Sequence, residues 1–236
     1  MRIEINCKLE NKEIALDYNR KILSLFKKAL ENYKLEIKDY FYGDPKEKDM
    51  TFSCYLPIEK IEENKIFLKE NKFKITLSLE KTIEAIHFYN ALIIGKNLKF
   101  DFGNNKAEIL DVKSLKEKEI NSEIIMFKTL SPILVREKPK DSNKSWYYVL
   151  NEEKAMEVLK KNLIYTLKNK FLIKDIEDLE IIPIDIKKVI ITYYNFKLPA
   201  TKGIIVIKGK KEILNYFYKA GFASRKSSGF GMLEII

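Results

Sequence analysis

Three of the chain's eight glycines fall within eleven residues, Gly221-Phe222-Ala223-Ser224-Arg225-Lys226-Ser227-Ser228-Gly229-Phe230-Gly231. Glycine tolerates positive φ and lets a backbone approach closely, so amide N–H groups in such a segment can point outward at phosphate oxygens. Ser224, Ser227 and Ser228 add hydroxyl donors, Arg225 can grip a phosphate through two N–H groups, and Lys226 adds a point charge. Gly221, Gly229 and Gly231 with these five residues form a candidate phosphate-binding segment; an ordinary surface turn is the plainer alternative. The segment lies between a predicted helix and a predicted strand. That order excludes a nucleotide-binding P-loop, which runs from strand to helix and ends in Gly-Lys-Ser/Thr. No Gly-x-Ser-x-Gly elbow occurs, and no Cys/His/Asp grouping has metal-ligand spacing, so neither metal nor cofactor is expected. The single histidine, His87, flanks the apolar stripe of a predicted helix and reads first as a partly buried helix residue. Trp146-Tyr147-Tyr148 could stack on bases or anchor a core.

Two stretches of alternating and helical periodicity position these groups. Residues 1–10 alternate like a strand, and Tyr18, Ile22, Leu25, Phe26, Ala29, Leu30 and Tyr33 mark a helix with Asp17 as N-cap. Residues 39–49 then read as a loop, with turn residues at Gly43 to Pro45. A strand over 50–56, a hairpin of 65–68 with 73–77, and a helix over 80–93 with Ile86, Tyr89 and Ile93 on one stripe follow. A closing hairpin of 96–101 with 106–113 completes a β-α-β-β-α-β order. The second half repeats the pattern with a strand at 124–129 and a helix at 152–169 carrying Met156, Leu159, Leu163 and Leu167 inward. Paired strands at 189–196 and 203–208, a helix at 210–220 with Ile213, Leu214 and Phe217, and a strand at 232–236 complete it. The expected fold is α+β, two tandem ferredoxin-like (RRM-like) domains over residues 1–118 and 119–236.

The net charge of +10 suits a polyanion partner, although a lysine-rich compositional bias would produce the same total. Hydrophobic residues at 46% and charged residues at 33% describe a globular chain. No run approaches the roughly 18 apolar residues of a membrane helix. The start of the chain alternates like a strand rather than a signal peptide, so a cytoplasmic protein is expected. Cys7 and Cys54 read as reduced core thiols.

The closing Gly-aromatic…Gly-Phe-Gly pattern resembles the glycine-rich loop of the CRISPR-associated endoribonucleases of the repeat-associated mysterious protein superfamily. Phe127-Lys128-Thr129-Leu130-Ser131-Pro132-Ile133-Leu134-Val135-Arg136 resembles the segment that opens that family's second domain. Lys208-Gly209, Ala220-Gly221 and Met50-Thr51-Phe52-Ser53 also fit, and the match runs the length of the chain in the same order. Ala223 departs from it, since members usually carry a second glycine there.

The resemblance implies two ferredoxin-like domains and metal-independent cleavage of CRISPR repeat RNA. The 2′-hydroxyl attacks the adjacent phosphorus, leaving a 2′,3′-cyclic phosphate and a 5′-hydroxyl. That reaction needs a base, an acid and positive charge for the phosphorane. The family usually places a histidine in the loop after the first helix; here that stretch offers Tyr40, Tyr42, Lys46 and Lys48 instead, with His87 as fallback. Tyrosine and lysine, with ordinary pKa values of about 10 and above, serve better as acids or charge donors than as bases. The resemblance therefore points to an endoribonuclease that makes guide RNAs. The alternative is a catalytically silent repeat-RNA binder or a subunit of a CRISPR effector complex. A homodimer is compatible with either reading, and no membrane partner is expected.

Overall fold

The computed structural model describes residues 1–44, 47–139 and 144–236, so the candidate residue Lys46 lies outside the described residues. The first half runs β1 (Arg2–Leu9), β2 (Glu13–Ala15), α1 (Tyr18–Tyr33), α2 (Leu35–Tyr42), β3 (Met50–Tyr55), β4 (Ile58–Glu62), β5 (Lys65–Leu68), β6 (Lys72–Leu79), α3 (Thr82–Ile94), β7 (Lys99–Asp101) and β8 (Lys106–Leu115). The second runs β9 (Ile124–Thr129), β10 (Val135–Glu137), β11 (Trp146–Tyr148), α4 (Ala155–Leu167), α5 (Ile173–Glu177), β12 (Glu180–Tyr193), β13 (Phe196–Lys208), α6 (Lys211–Ala220) and β14 (Leu233–Ile235). One 3₁₀ turn, Lys226–Ser228, interrupts the glycine-rich segment.

Alternation along β1 buries Ile3, Ile5, Cys7 and Leu9 on one face. Helix α1 turns Ile22, Leu25, Phe26, Ala29 and Leu30 onto that face at helical spacing. Phe26 packs edge-on against Phe52 and Phe88, with ring centroids 5.5 and 5.8 Å apart. A separate core gathers Phe127, Leu159, Leu163, Ile205, Ile207, Leu214 and Phe217. The main sheets have orders β3-β6-β1-β8-β7 and β12-β13-β9-β14, with every pairing antiparallel.

The two halves meet across a row of buried polar side chains. Arg2, Ser78 and Thr51 lie side by side on β1, β6 and β3 and are 2%, 0% and 0% exposed. Arg2 donates to the carbonyls of Tyr218 and Leu233 and pairs with Glu234 at 2.6 Å. Ser78 Oγ donates to the Lys219 carbonyl at 2.7 Å, and Thr51 Oγ1 to that of Phe230 at 2.8 Å. Tyr218 and Lys219 end α6, and a helix's last carbonyls have no partner of their own. The first half supplies the partners, and Arg2 places a cation where the helix dipole favours one.

Several local expectations change. β5 does not pair with β6; it joins β2 and β4 in a small separate sheet, while β6 lies between β1 and β3. Tyr40 and Tyr42 belong to α2 rather than to a loop. Asp17 stands at the N-cap position of α1 as expected but makes no side-chain capping bond: its Oδ2 accepts from Arg20 and from the Tyr194 amide, at the tip of the long β12–β13 hairpin. That hairpin is far longer than the predicted pair of strands, and the Arg20 guanidinium covers the Tyr194 ring at 4.1 Å. On α3 the buried residues are Ala85, Phe88, Ala91 and Leu92, while Ile86 and Ile93 face outward. Trp146 is 63% exposed and anchors no core.

Candidate nucleic-acid interface

The glycine-rich segment is built into the joint between the halves. Gly221 has φ +88, and a Cβ there would stand 2.7 Å from Thr51 Cβ; Gly229 has φ +86 and lies against Phe52 and Asn19. Gly231, at φ +68, would bring a Cβ to 1.9 Å from the Phe222 carbonyl oxygen. These glycines therefore let the segment lie flat on β3. The amides of Phe222, Ser224, Ser228, Gly229 and Gly231 all donate to protein carbonyls, so they do not point outward at a ligand as the composition suggested. Ala223 adopts φ +66, a left-handed conformation that costs a non-glycine residue roughly 1–2 kcal/mol. The resemblance implies a glycine at this position, which would hold the turn without that strain.

Between this segment and the first half lies a groove of about 510 Å³. One wall is Glu47 and Lys48, the next is Arg136 and Lys138, the third is Asn162, Tyr165 and Thr166 of α4, and the last is Ala223 to Ser227. Five basic residues line it against one acidic residue. Arg225, itself left-handed at φ +58, donates through Nε to the Tyr147 hydroxyl at 3.0 Å and lies 5.5 Å from the centre of the Tyr193 ring. Arg136 is the cross-strand neighbour of Tyr147 and donates through Nε to Ser145 at 2.9 Å. Neither arginine uses its terminal NH₂ groups in a hydrogen bond among the described residues. Two guanidinium forks held by their inner nitrogens are suited to gripping phosphates. Asn162 Nδ2 ties α4 to the Arg136 carbonyl at 2.9 Å and to Ser224 Oγ at 3.3 Å, which fixes the groove floor.

Lys226 departs from its expected role. Its side chain is 5% exposed, and Nζ donates to the Tyr216 hydroxyl at 2.9 Å and pairs with Glu47 at 3.3 Å. Burial pushes the ammonium below the ordinary lysine range, against the pull of Glu47 and Asp49. Asp49 accepts from Tyr216 and from Lys170, the latter at 2.6 Å. Burial raises the Asp49 carboxyl, but those hydrogen bonds and the charges of Lys170 and Lys226 outweigh it, and the net shift is downward. The segment 47–49 is thereby clamped to the second half.

Of the other sequence candidates, Lys48 lines the groove, and its Nζ lies 5.0 Å from the Tyr42 ring centre. The Tyr42 hydroxyl is buried with no hydrogen-bond partner among the described residues, and burial pushes its pKa up. The Tyr40 hydroxyl donates to Glu84 at 2.9 Å, and that bond raises its pKa. Neither tyrosine lines the groove. Ser224 and Ser227 line it and Ser228 does not. His87 packs against Tyr33 at the far end of α1, whereas Gly229 meets Asn19 at its start. The separation of fourteen positions from Asn19 to Tyr33 amounts to about 21 Å of helix, so the only imidazole stands away from the groove. Sequence reasoning did not single out Lys138, Asn162 or Tyr165. Arg136 appeared only within the resemblance, and no local pattern marks the other three.

Residues 115–235 match the family model described as CRISPR associated protein Cas6, C-terminal. A CRISPR-associated endoribonuclease-like protein Cas6 from Pyrococcus furiosus is 30% identical over 148 residues, 61% of this chain and 60% of the relative. The match thus spans less than two thirds of that relative's length. A protein named Cas6nc from Pyrococcus horikoshii, also described as endoribonuclease-like, is 30% identical over 166 residues, 69% of this chain and 67% of its own. Among solved structures, one described as a Cas6-related gene from Pyrococcus furiosus superposes with a TM-score of 0.84 at 26% identity, covering 100% of this chain and 98% of that one. A protein described as an RAMP protein binding different RNA substrates shares the fold, with a TM-score of 0.83 at 22% identity and coverage of 100% and 99%.

Proposed function

This chain belongs to the Cas6 family of CRISPR-associated proteins, and from that premise we propose that it binds CRISPR repeat RNA in the groove between its halves and cuts it there. The observation that carries this is the pair of half-buried arginines, Arg136 and Arg225, whose forks line one groove opposite Lys48. We read each half as a ferredoxin-like unit, with the division near residue 118. The two strand orders support this, since both place the first strand of the half between the third and last strands of a β-α-β-β-α-β series.

Cleavage proceeds by attack of a ribose 2′-hydroxyl on the adjacent phosphorus, with departure of the 5′-oxygen. Arg136, Arg225 and Lys48 supply the positive charge that the phosphorane needs. Of the four residues that stand in place of the family's histidine, Lys48 is the described one that lines the groove, and it is the proposed donor to the leaving oxygen. No imidazole stands in the groove to take the 2′-hydroxyl proton, and a well-placed general base is worth about 10²–10⁴-fold. The reading is accordingly a slow enzyme that works by positioning and charge. A silent repeat-RNA binder is the second reading, favoured by the burial of the Tyr42 hydroxyl and the engagement of Tyr40 with Glu84.

Incubation with cognate repeat RNA in EDTA separates the two. The expected result is a single cut leaving a 2′,3′-cyclic phosphate, abolished by deoxyribose at the scissile position. Lys48→Ala should slow the single-turnover rate by about tenfold or more while affinity changes little, the signature of an interaction made mainly in the transition state. Tight binding without any product would leave the silent-binder reading standing.

A further inference from the structure

Tyr165 is 74% exposed on α4. Helix α4 buries Leu159, Leu163 and Leu167 on sides turned away from the ring, and the tyrosine itself joins none of the buried clusters. Its hydroxyl bonds to no protein group among the described residues. The ring lines the same groove as Arg136, Lys138 and Lys48, and Lys168 Nζ stands 5.5 Å from its centre. An open aromatic face among cations offers what a phosphate grip alone lacks, because every nucleobase has a π-face that stacks on such a ring. A base within a duplex is already covered on both faces by its neighbours, so the platform suits a base that is unpaired.

We infer that Tyr165 stacks on an unpaired base of the RNA whose phosphates Arg136 and Arg225 hold, making the groove selective for single-stranded RNA. This rests on the groove being the RNA site.

The test is a salt titration of binding to unstructured repeat RNA by wild type, Tyr165→Ala, Tyr165→Phe and Arg136→Ala/Arg225→Ala chains. Tyr165→Ala should weaken binding about 5- to 150-fold with the salt slope unchanged, since stacking releases no counterions. Tyr165→Phe should bind like wild type. In a scan of single abasic nucleotides along the RNA, one position should erase the difference between wild type and Tyr165→Ala. Wild-type affinity in Tyr165→Ala, a reduced slope, or a Tyr165→Phe defect equal to that of alanine would each overturn the stacking role. If the arginine variant loses affinity while Tyr165→Ala does not, the groove stands and the platform falls. If neither variant loses affinity, the groove itself is wrong.

Discussion

A chain carrying Arg136→Ala and Arg225→Ala should bind repeat RNA about 10²–10⁴-fold more weakly than wild type. Each guanidinium that grips a phosphate contributes a charge-assisted hydrogen bond worth roughly 1.5–3 kcal/mol, and about 1.4 kcal/mol is tenfold in affinity. The slope of log affinity against log salt should fall by about 1.4, or 0.7 for each phosphate of a single strand that is no longer neutralised. Both side chains are only half-buried and, among the described residues, hydrogen-bond through Nε alone, so their removal should leave the melting temperature within a few degrees of wild type. Unchanged affinity and slope in the folded variant would rule out the groove as the RNA site. Lys226→Met is the informative contrast. It removes an ammonium that already has Tyr216 and Glu47 as partners, so it should alter stability and leave the salt slope alone.

Arg2→Met should have the largest effect on the fold. It would leave the carbonyls of Tyr218 and Leu233 and the Glu234 carboxylate without their shared donor at the buried joint. Removing one partner of a buried ionic network typically costs about 3–5 kcal/mol. For a chain of this size that corresponds to a fall of roughly 6–20 °C in melting temperature. RNA binding should decline in parallel at elevated temperature, because β14 and the end of α6 flank the segment that carries Arg225. A melting temperature within a degree of wild type would show that Arg2 does not hold the halves together.

Helix and strand positions were legible wherever one face alone is buried. Helix α1, strand β9 and helix α6 stand within a residue of their periodicity, because alternation or helical spacing reports burial directly. Helix α3 was misread because it is apolar nearly all round, so periodicity cannot choose between Ile86 and Phe88 for the core. The glycine cluster was visible as a special backbone, and the resemblance located it. Its physical reason was not visible: Gly221 and Gly229 answer to Thr51 and Phe52, far away in sequence. For the same reason Lys226 read as a surface charge. Its burial comes from Glu47 and Tyr216, which only the folded joint brings to it. Tyr165 carried no sequence signal at all, since an exposed and a buried tyrosine on a helix differ only in what packs beside them.

The joint also bears on the order of folding. Arg2 reaches Glu234 across 232 positions and Thr51 reaches Phe230 across 179; both contacts join one half to the other, whereas the strand pairings lie within a half, from Arg2 with Leu115 in the first to Phe127 with Ile235 in the second. Arg2, Ser78 and Thr51 stand side by side only once β1, β6 and β3 have paired, so docking of the two halves follows formation of the first sheet. Arg225 lies on the segment that docking fixes in place. In refolding, burial of aromatic rings should therefore recover first, and the capacity to hold RNA should return only with the slowest phase.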